Sequence, residues 1–169
     1  MVRPSEAAKA RWDEIDLEQK LWIIPAARMK KRKEHQIPLT IQTLSILEMM
    51  RTISGNSEFI FPHRNDTDKP MDRRSANNAL KKMGYKDSLV AHGLRSIGST
   101  ALNEQGYDPD IIEVALSHLD KNAVRRAYNR ADYLERRRPM MQWWSNHIEL
   151  AAQGNINLDG KCGLKVVNN

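Results

Sequence analysis

Apolar positions along the chain fall into two kinds of run, and each predicts a different element. LWIIP at 21–25 and HQIPL at 35–39 are short, apolar and flanked by polar residues, so they predict two strands, with residues 26–34 as a hairpin or its tip. FIFP at 59–62 predicts a third. Elsewhere the spacing is helical. Pro4 and Glu6 open a short helix to about Arg11, because proline suits a first turn and an acid there suits the helix dipole. Thr40 is positioned to cap a helix whose apolar residues are Ile41, Leu44, Leu47 and Met50, with Gly55 as its stop.

HRNDTDKPMD, from His63 to Asp72, reads as an exposed loop. A helix from Ser75 to Met83 stops at Gly84, a second loop carries Lys86 to Leu89, and a helix from Gly93 to Gln105 closes at Gly106. Asp108 caps the next helix, whose buried stripe is Ile111, Ile112, Ala115 and Leu116, ending near His118. Asn122 to Tyr128 predicts a short basic helix. Asp132 caps a last long helix from Tyr133 to about Ala152, with Pro139 expected to kink it. The expected fold class is mainly α with a small antiparallel β-sheet (α+β). One domain covers 1–152, and 153–169 is a tail, either disordered or a lone strand at LKVV.

The chain has 169 residues, so one compact domain fits and two do not. Its single cysteine, Cys162, excludes an intrachain disulfide and every CxxC motif. The absence of a long apolar run or a secretory signal predicts a cytoplasmic protein without membrane attachment. Lys and Arg number 27 against 21 Asp and Glu, and the net charge of +6 suggests an anionic partner. The distribution sharpens this. Five of the six residues from Arg28 to Lys33 are basic, and a second cluster of arginines runs from Arg125 to Arg138. Neither lies opposite an apolar helical stripe, which favours nucleic acid over a membrane surface.

The sequence contains no Gly-rich phosphate loop and no HExxH pairing, so no metal or nucleotide cofactor is expected. What remains is a set of cations, histidines and tyrosines. His92 and Arg95 in AHGLRS share a helix face, although such a pair alone is weak evidence. The order of the whole set is more specific. VRPSEA at 2–7, a basic hairpin ending in IPLT at 37–40, AHGLRS at 91–96, LSH at 116–118 and AYNRADYLERRR at 127–138 resemble the tyrosine recombinases, most closely the phage and genomic-island integrases. The resemblance covers about residues 2–150.

That resemblance implies a catalytic set of Arg3, Lys30, His92, Arg95, His118 and Tyr128. In-line attack on a phosphodiester needs a nucleophile, cations at the non-bridging oxygens and an acid for the leaving 5′ oxygen. Tyr128 is the implied nucleophile, Arg3 and Arg95 the phosphate clamp, and Lys30 the acid. His92 is the implied acid or base on the tyrosine side, and His118 a phosphate hydrogen-bonder. Arg28, Lys31, Arg32, Lys33, Arg125, Arg126 and Arg130 are expected to contact double-stranded DNA at attachment sites. The implied assembly is a homo-tetramer on DNA and a monomer alone.

Rivals accompany several assignments. Lys31 and Lys33 compete with Lys30, and Tyr133 competes with Tyr128, which stands at the family's usual interval after His118. His35, His63 and His147 read as surface or helix residues, and Trp143 and Trp144 as core packing. Two departures from the family stand out. A helix that begins almost at residue 1 points to a fragment or truncated product lacking the N-terminal DNA-binding domains, with weak DNA affinity expected. A non-catalytic DNA-binding or oligomerisation fragment is therefore the alternative function, and a metal-dependent nuclease ranks third. The other departure is Ser117, where the family often has glycine; serine is expected to substitute unless φ is positive.

Overall fold

The computed structural model describes residues 1–118 and 133–154. The expected basic helix at 122–128, the Asp132 cap and the tail from residue 155 onward lie outside the described residues.

The chain enters through α1 (Pro4–Ala8), which stops short of the expected Arg11, and a 3-10 turn at Trp12–Glu14. A three-stranded antiparallel sheet follows in the order β1 (Ile15–Asp16), β2 (Leu21–Ile24), β3 (His35–Pro38). The β2–β3 pair is the expected hairpin, in register Leu21 to Pro38 and Ile24 to His35. Its third strand is β1, not FIFP. Phe59 makes only an isolated bridge to Arg11, and a two-residue strand such as β1 is too short to leave a period in sequence. Period-2 alternation also overturns the reading of His35: it shares a face with Ile37 and is buried at 8% exposure.

Thr40 caps α2 (Ile41–Ser54) as expected, its Oγ1 accepting from the Thr43 N–H at 3.3 Å. The polar stretch after it is not simply a loop. It folds into a second hairpin, β4 (Pro62–His63) with β5 (Asp66–Pro70), whose side chains are largely solvent-facing and so lack an apolar signal. Next come α3 (Ser75–Leu80), a π-turn at Lys81–Tyr85, α4 (Gly93–Glu104) and α5 (Pro109–Ala115). The last described helix is α6 (Leu134–Ala152), which continues through Pro139 as one element.

Two helix ends share one closure. At the end of α4, Gly106 adopts φ +83°; its N–H reaches Asn103 O at 3.0 Å and the Tyr107 N–H reaches Leu102 O at 3.1 Å. This is a Schellman closure, which demands a left-handed residue. The end of α5 repeats it with Ser117 in the glycine position. There φ is +53°, Ser117 N–H reaches Val114 O, and His118 N–H reaches Glu113 O, both at 2.9 Å. Positive φ at Ser117 is thus the condition under which serine is a poor glycine substitute.

Leu102, Ile111, Ile112, Ala115, Leu116, Met140 and Met141 form the core between α4, α5 and α6, with Trp143 and Trp144 packed against it as expected. A second cluster, Ala10, Leu39, Leu47 and Ile60, lies under α2, and a third, Ile24, Met29 and Ile37, lies under the β2–β3 hairpin. Arg137 of α6, only 1% exposed, fastens the helix to the sheet by donating to Gln36 O at 2.6 Å.

Candidate active site

Arg95 lies on the buried side of α4 at 7% exposure. Its Nη1 donates to the Met1 carbonyl, and its Nη2 donates to Leu116 O at 2.7 Å and stands 3.3 Å from His118 Nε2. One guanidinium therefore joins the start of the chain, its own helix and the end of α5. His118 follows the Schellman closure of α5, and its Nδ1 lies 2.9 Å from Glu113 Oε2. With Nδ1–H donating to Glu113, Nε2 is the free ring position, turned toward Arg95.

Arg3 precedes α1 in extended backbone, and Glu6 holds it twice: its Oε1 pairs with Arg3 Nη1 at 2.7 Å and its Oε2 accepts the Arg3 N–H at 2.8 Å. Glu6 is buried, so this grip fixes Arg3 firmly. The Arg3 charge is felt at Arg95. Burial first, and then Arg3, push the Arg95 guanidinium below its ordinary value, against the opposing pull of Glu6 and Glu113. Glu6 thus offsets at Arg95 part of what the Arg3 charge does there.

His92 is exposed and occupies the N-cap position of α4, without a side-chain capping bond, three residues before Arg95. Lys30, Arg32 and Lys33 are exposed at the β2–β3 tip, where Arg32 takes φ +49°, and Lys31 is half-buried beside them. The structure thus brings Arg95 and His118 into contact, with the Arg3 charge felt at Arg95. Among the described residues no contact ties Lys30 to that cluster. Tyr128, Arg125, Arg126 and Arg130 lie outside the described residues. The rival Tyr133 is described: its half-buried ring packs against the α4–α5–α6 core, with the Arg136 guanidinium 5.6 Å above it.

Arg28 occupies a different place from its basic neighbours. Its Nη1 pairs with the buried Glu14 carboxylate and its Nη2 donates to Glu6 O at 3.0 Å, so its charge is satisfied within the fold. Arg137, in the second basic cluster, is likewise spent internally. Sequence reading missed Glu14 and Glu113 as partners. Nothing in WDEID separates Glu14 from Asp13, and Glu113 stands five residues before His118, outside the i,i+3 and i,i+4 spacings that signal a helical pair.

Among the described residues no group of three or more His, Cys, Asp and Glu could hold a metal ion, and no helix is long and apolar enough to cross a membrane. Residues 1–135 match the model of the phage integrase family. The chain is 56% identical over 167 residues to prophage integrase IntA of Escherichia coli, covering 99% of this chain and 40% of that protein. It is 39% identical over 173 residues to the integrase of Enterobacteria phage P4, covering 93% and 39% respectively. The integrase of Shigella phage Sf6 is 37% identical over 149 residues, covering 88% and 39%. The chain therefore spans about two-fifths of the length of these relatives. No solved structure matches it.

Proposed function

Since the chain belongs to the phage integrase family of tyrosine recombinases, we propose that it is the catalytic part of a site-specific DNA recombinase that cuts and rejoins strands through a 3′-phosphotyrosine. The observation that carries this reading is the Arg95 cluster: a buried guanidinium against His118, with the Glu6-held Arg3 acting on it.

Arg3 and Arg95 take the two non-bridging oxygens of the scissile phosphate. Arg95 has five N–H donors, of which the contacts to Met1, Leu116 and His118 engage three. A phosphate oxygen takes donors that remain on Arg95 and lies against His118 Nε2. The Tyr128 phenol oxygen bonds to phosphorus as the bond to the 5′ oxygen breaks. His92 takes the phenol proton, and the Lys30 ammonium gives one to the departing 5′ oxygen. A 5′-hydroxyl from a second strand reverses these steps, because the phosphotyrosine keeps the energy of the broken ester. Side-chain cations supply the charge that a metal supplies elsewhere. Arg32, Lys31, Lys33, Arg125, Arg126 and Arg130 hold the flanking duplex, and four copies assemble on two DNA sites.

The test is incubation with an attachment-site duplex nicked beside the scissile phosphate, followed by a denaturing gel. A covalent adduct lost in Tyr128→Phe is expected; an adduct that survives this change overturns the nucleophile. Salt-dependent duplex binding with no adduct would instead support a non-catalytic DNA-binding module.

A further inference from the structure

We infer that Glu14 and Arg28 are positioning residues for Lys30, coupling the hairpin that carries this lysine to the arginine clamp. This inference rests on the catalytic reading above. Glu14 is a buried carboxylate at the end of the 3-10 turn before β1. It accepts from Arg28 Nη1, from Trp22 Nε1 at 3.0 Å and from the Arg11 N–H at 3.3 Å. Arg28 closes the 3-10 turn Ala26–Arg28, where the chain leaves β2 for the tip. The next residue, Met29, is buried against Ile24 and Ile37, and Lys30 follows it.

The ascending arm of the hairpin is therefore pinned at two adjacent residues, one by charge and one by packing, immediately before the lysine. Arg28 also donates to the carbonyl of Glu6, whose carboxylate grips Arg3. A single run of contacts leads from Arg3 through Glu6, Arg28 and Glu14 to Trp22 on β2. It joins the part of the site that holds the phosphate to the arm that brings the acid. Recruiting Arg28 to DNA instead would strand Glu14 as an uncompensated buried charge, which sets its role apart from that of the exposed tip cations.

The experiment compares adduct formation on the nicked duplex with formation on the same duplex carrying sulfur at the 5′ bridging position. A thiolate leaves without a proton, so only steps that need the acid are relieved. Lys30→Ala is expected to lose about 100-fold or more on the oxygen duplex and to recover with sulfur; absence of that recovery would refute the Lys30 assignment itself. Arg28→Met and Glu14→Gln are expected to lose about 10-fold or more on oxygen and to recover toward wild type with sulfur. Duplex binding should keep the wild-type salt dependence.

Equal losses on both duplexes, with Lys30→Ala recovering, would overturn the positioning role while leaving the catalytic reading intact. A salt slope reduced by about one in Arg28→Met would make Arg28 a phosphate contact and also overturn it. Should Arg28→Met fail to fold in a thermal melt, Glu14→Gln and Trp22→Phe carry the same comparison, and an unchanged oxygen-to-sulfur ratio in the variants that fold overturns the inference.

Discussion

Arg95 of α4 and His118, just past the end of α5, meet at 3.3 Å, and the same Arg95 nitrogen donates to Leu116 O at 2.7 Å. The guanidinium is thus both a strut and a reagent. Arg95→Ala removes bonds to the Met1 and Leu116 carbonyls and leaves a void in a buried site. Destabilisation of about 3 kcal/mol is expected in denaturant unfolding, with adduct formation reduced by at least about 100-fold. Arg95→Lys separates the two roles. It keeps the charge but has no planar fork to reach two carbonyls and a phosphate together, so its activity should stay near that of Arg95→Ala even where stability is partly restored. Near-wild-type adduct formation by Arg95→Lys would refute the clamp.

Ser117 sits where α4 uses Gly106, in the left-handed residue of a Schellman closure, and it delivers His118 to Arg95. Ser117→Gly should relieve backbone strain, offset in part by the added freedom of the unfolded chain, for a net gain of about 0.5–1 kcal/mol in unfolding free energy. Ser117→Val should lose more than that, because a β-branched residue tolerates positive φ poorly. A loss of stability in Ser117→Gly would show that the serine side chain makes a compensating contact.

Most elements were legible because their signals are local. The β2–β3 hairpin, the Thr40 cap, the Asp108 cap and the Ile111–Leu116 stripe each follow from a few neighbouring residues. Arg95 and His118 were legible as a pair only through the family resemblance, since no local pattern says that residues 23 apart in sequence will meet. What escaped was non-local and polar. Glu14 and Arg28 look like ordinary surface charges until folding buries one beside the other, and β4–β5 has no apolar face to betray it. Burial of His35 escaped because a single imidazole on a short strand carries no periodic weight.

Thr40 links the start of α2 to α6. Its hydroxyl meets Thr43 N at 3.3 Å, Thr43 Oγ1 at 2.9 Å and Ser145 Oγ at 2.9 Å, and the residue is buried. Thr40→Ala should cost about 1–2 kcal/mol, and Ser145→Ala less, because the second change spares the helix cap. Equal losses in denaturant melts would mean that the contact between the helices, rather than the cap, carries the stabilisation.

His35 predicts the acid limit of the fold. Burial, and after it the Arg137 charge, lower its imidazole from 6.5 to about 4, outweighing the pull of Glu6 and a hydrogen bond with the Ala115 backbone. Its Nε2 is buried with no hydrogen-bond partner among the described residues. The unfolded chain binds a proton here below about pH 6.5, whereas the folded chain does so only near pH 4. Stability from this residue is therefore complete above the unfolded value and is lost as pH falls from 6.5 toward 4. Between about pH 7.5 and about pH 5 the loss should reach about 2 kcal/mol. His35→Gln cannot titrate, so it should start less stable at neutral pH yet fall by about 2 kcal/mol less over that range. Parallel pH profiles for the two proteins in denaturant unfolding would mean that His35 is protonated in the folded state as readily as in the unfolded one.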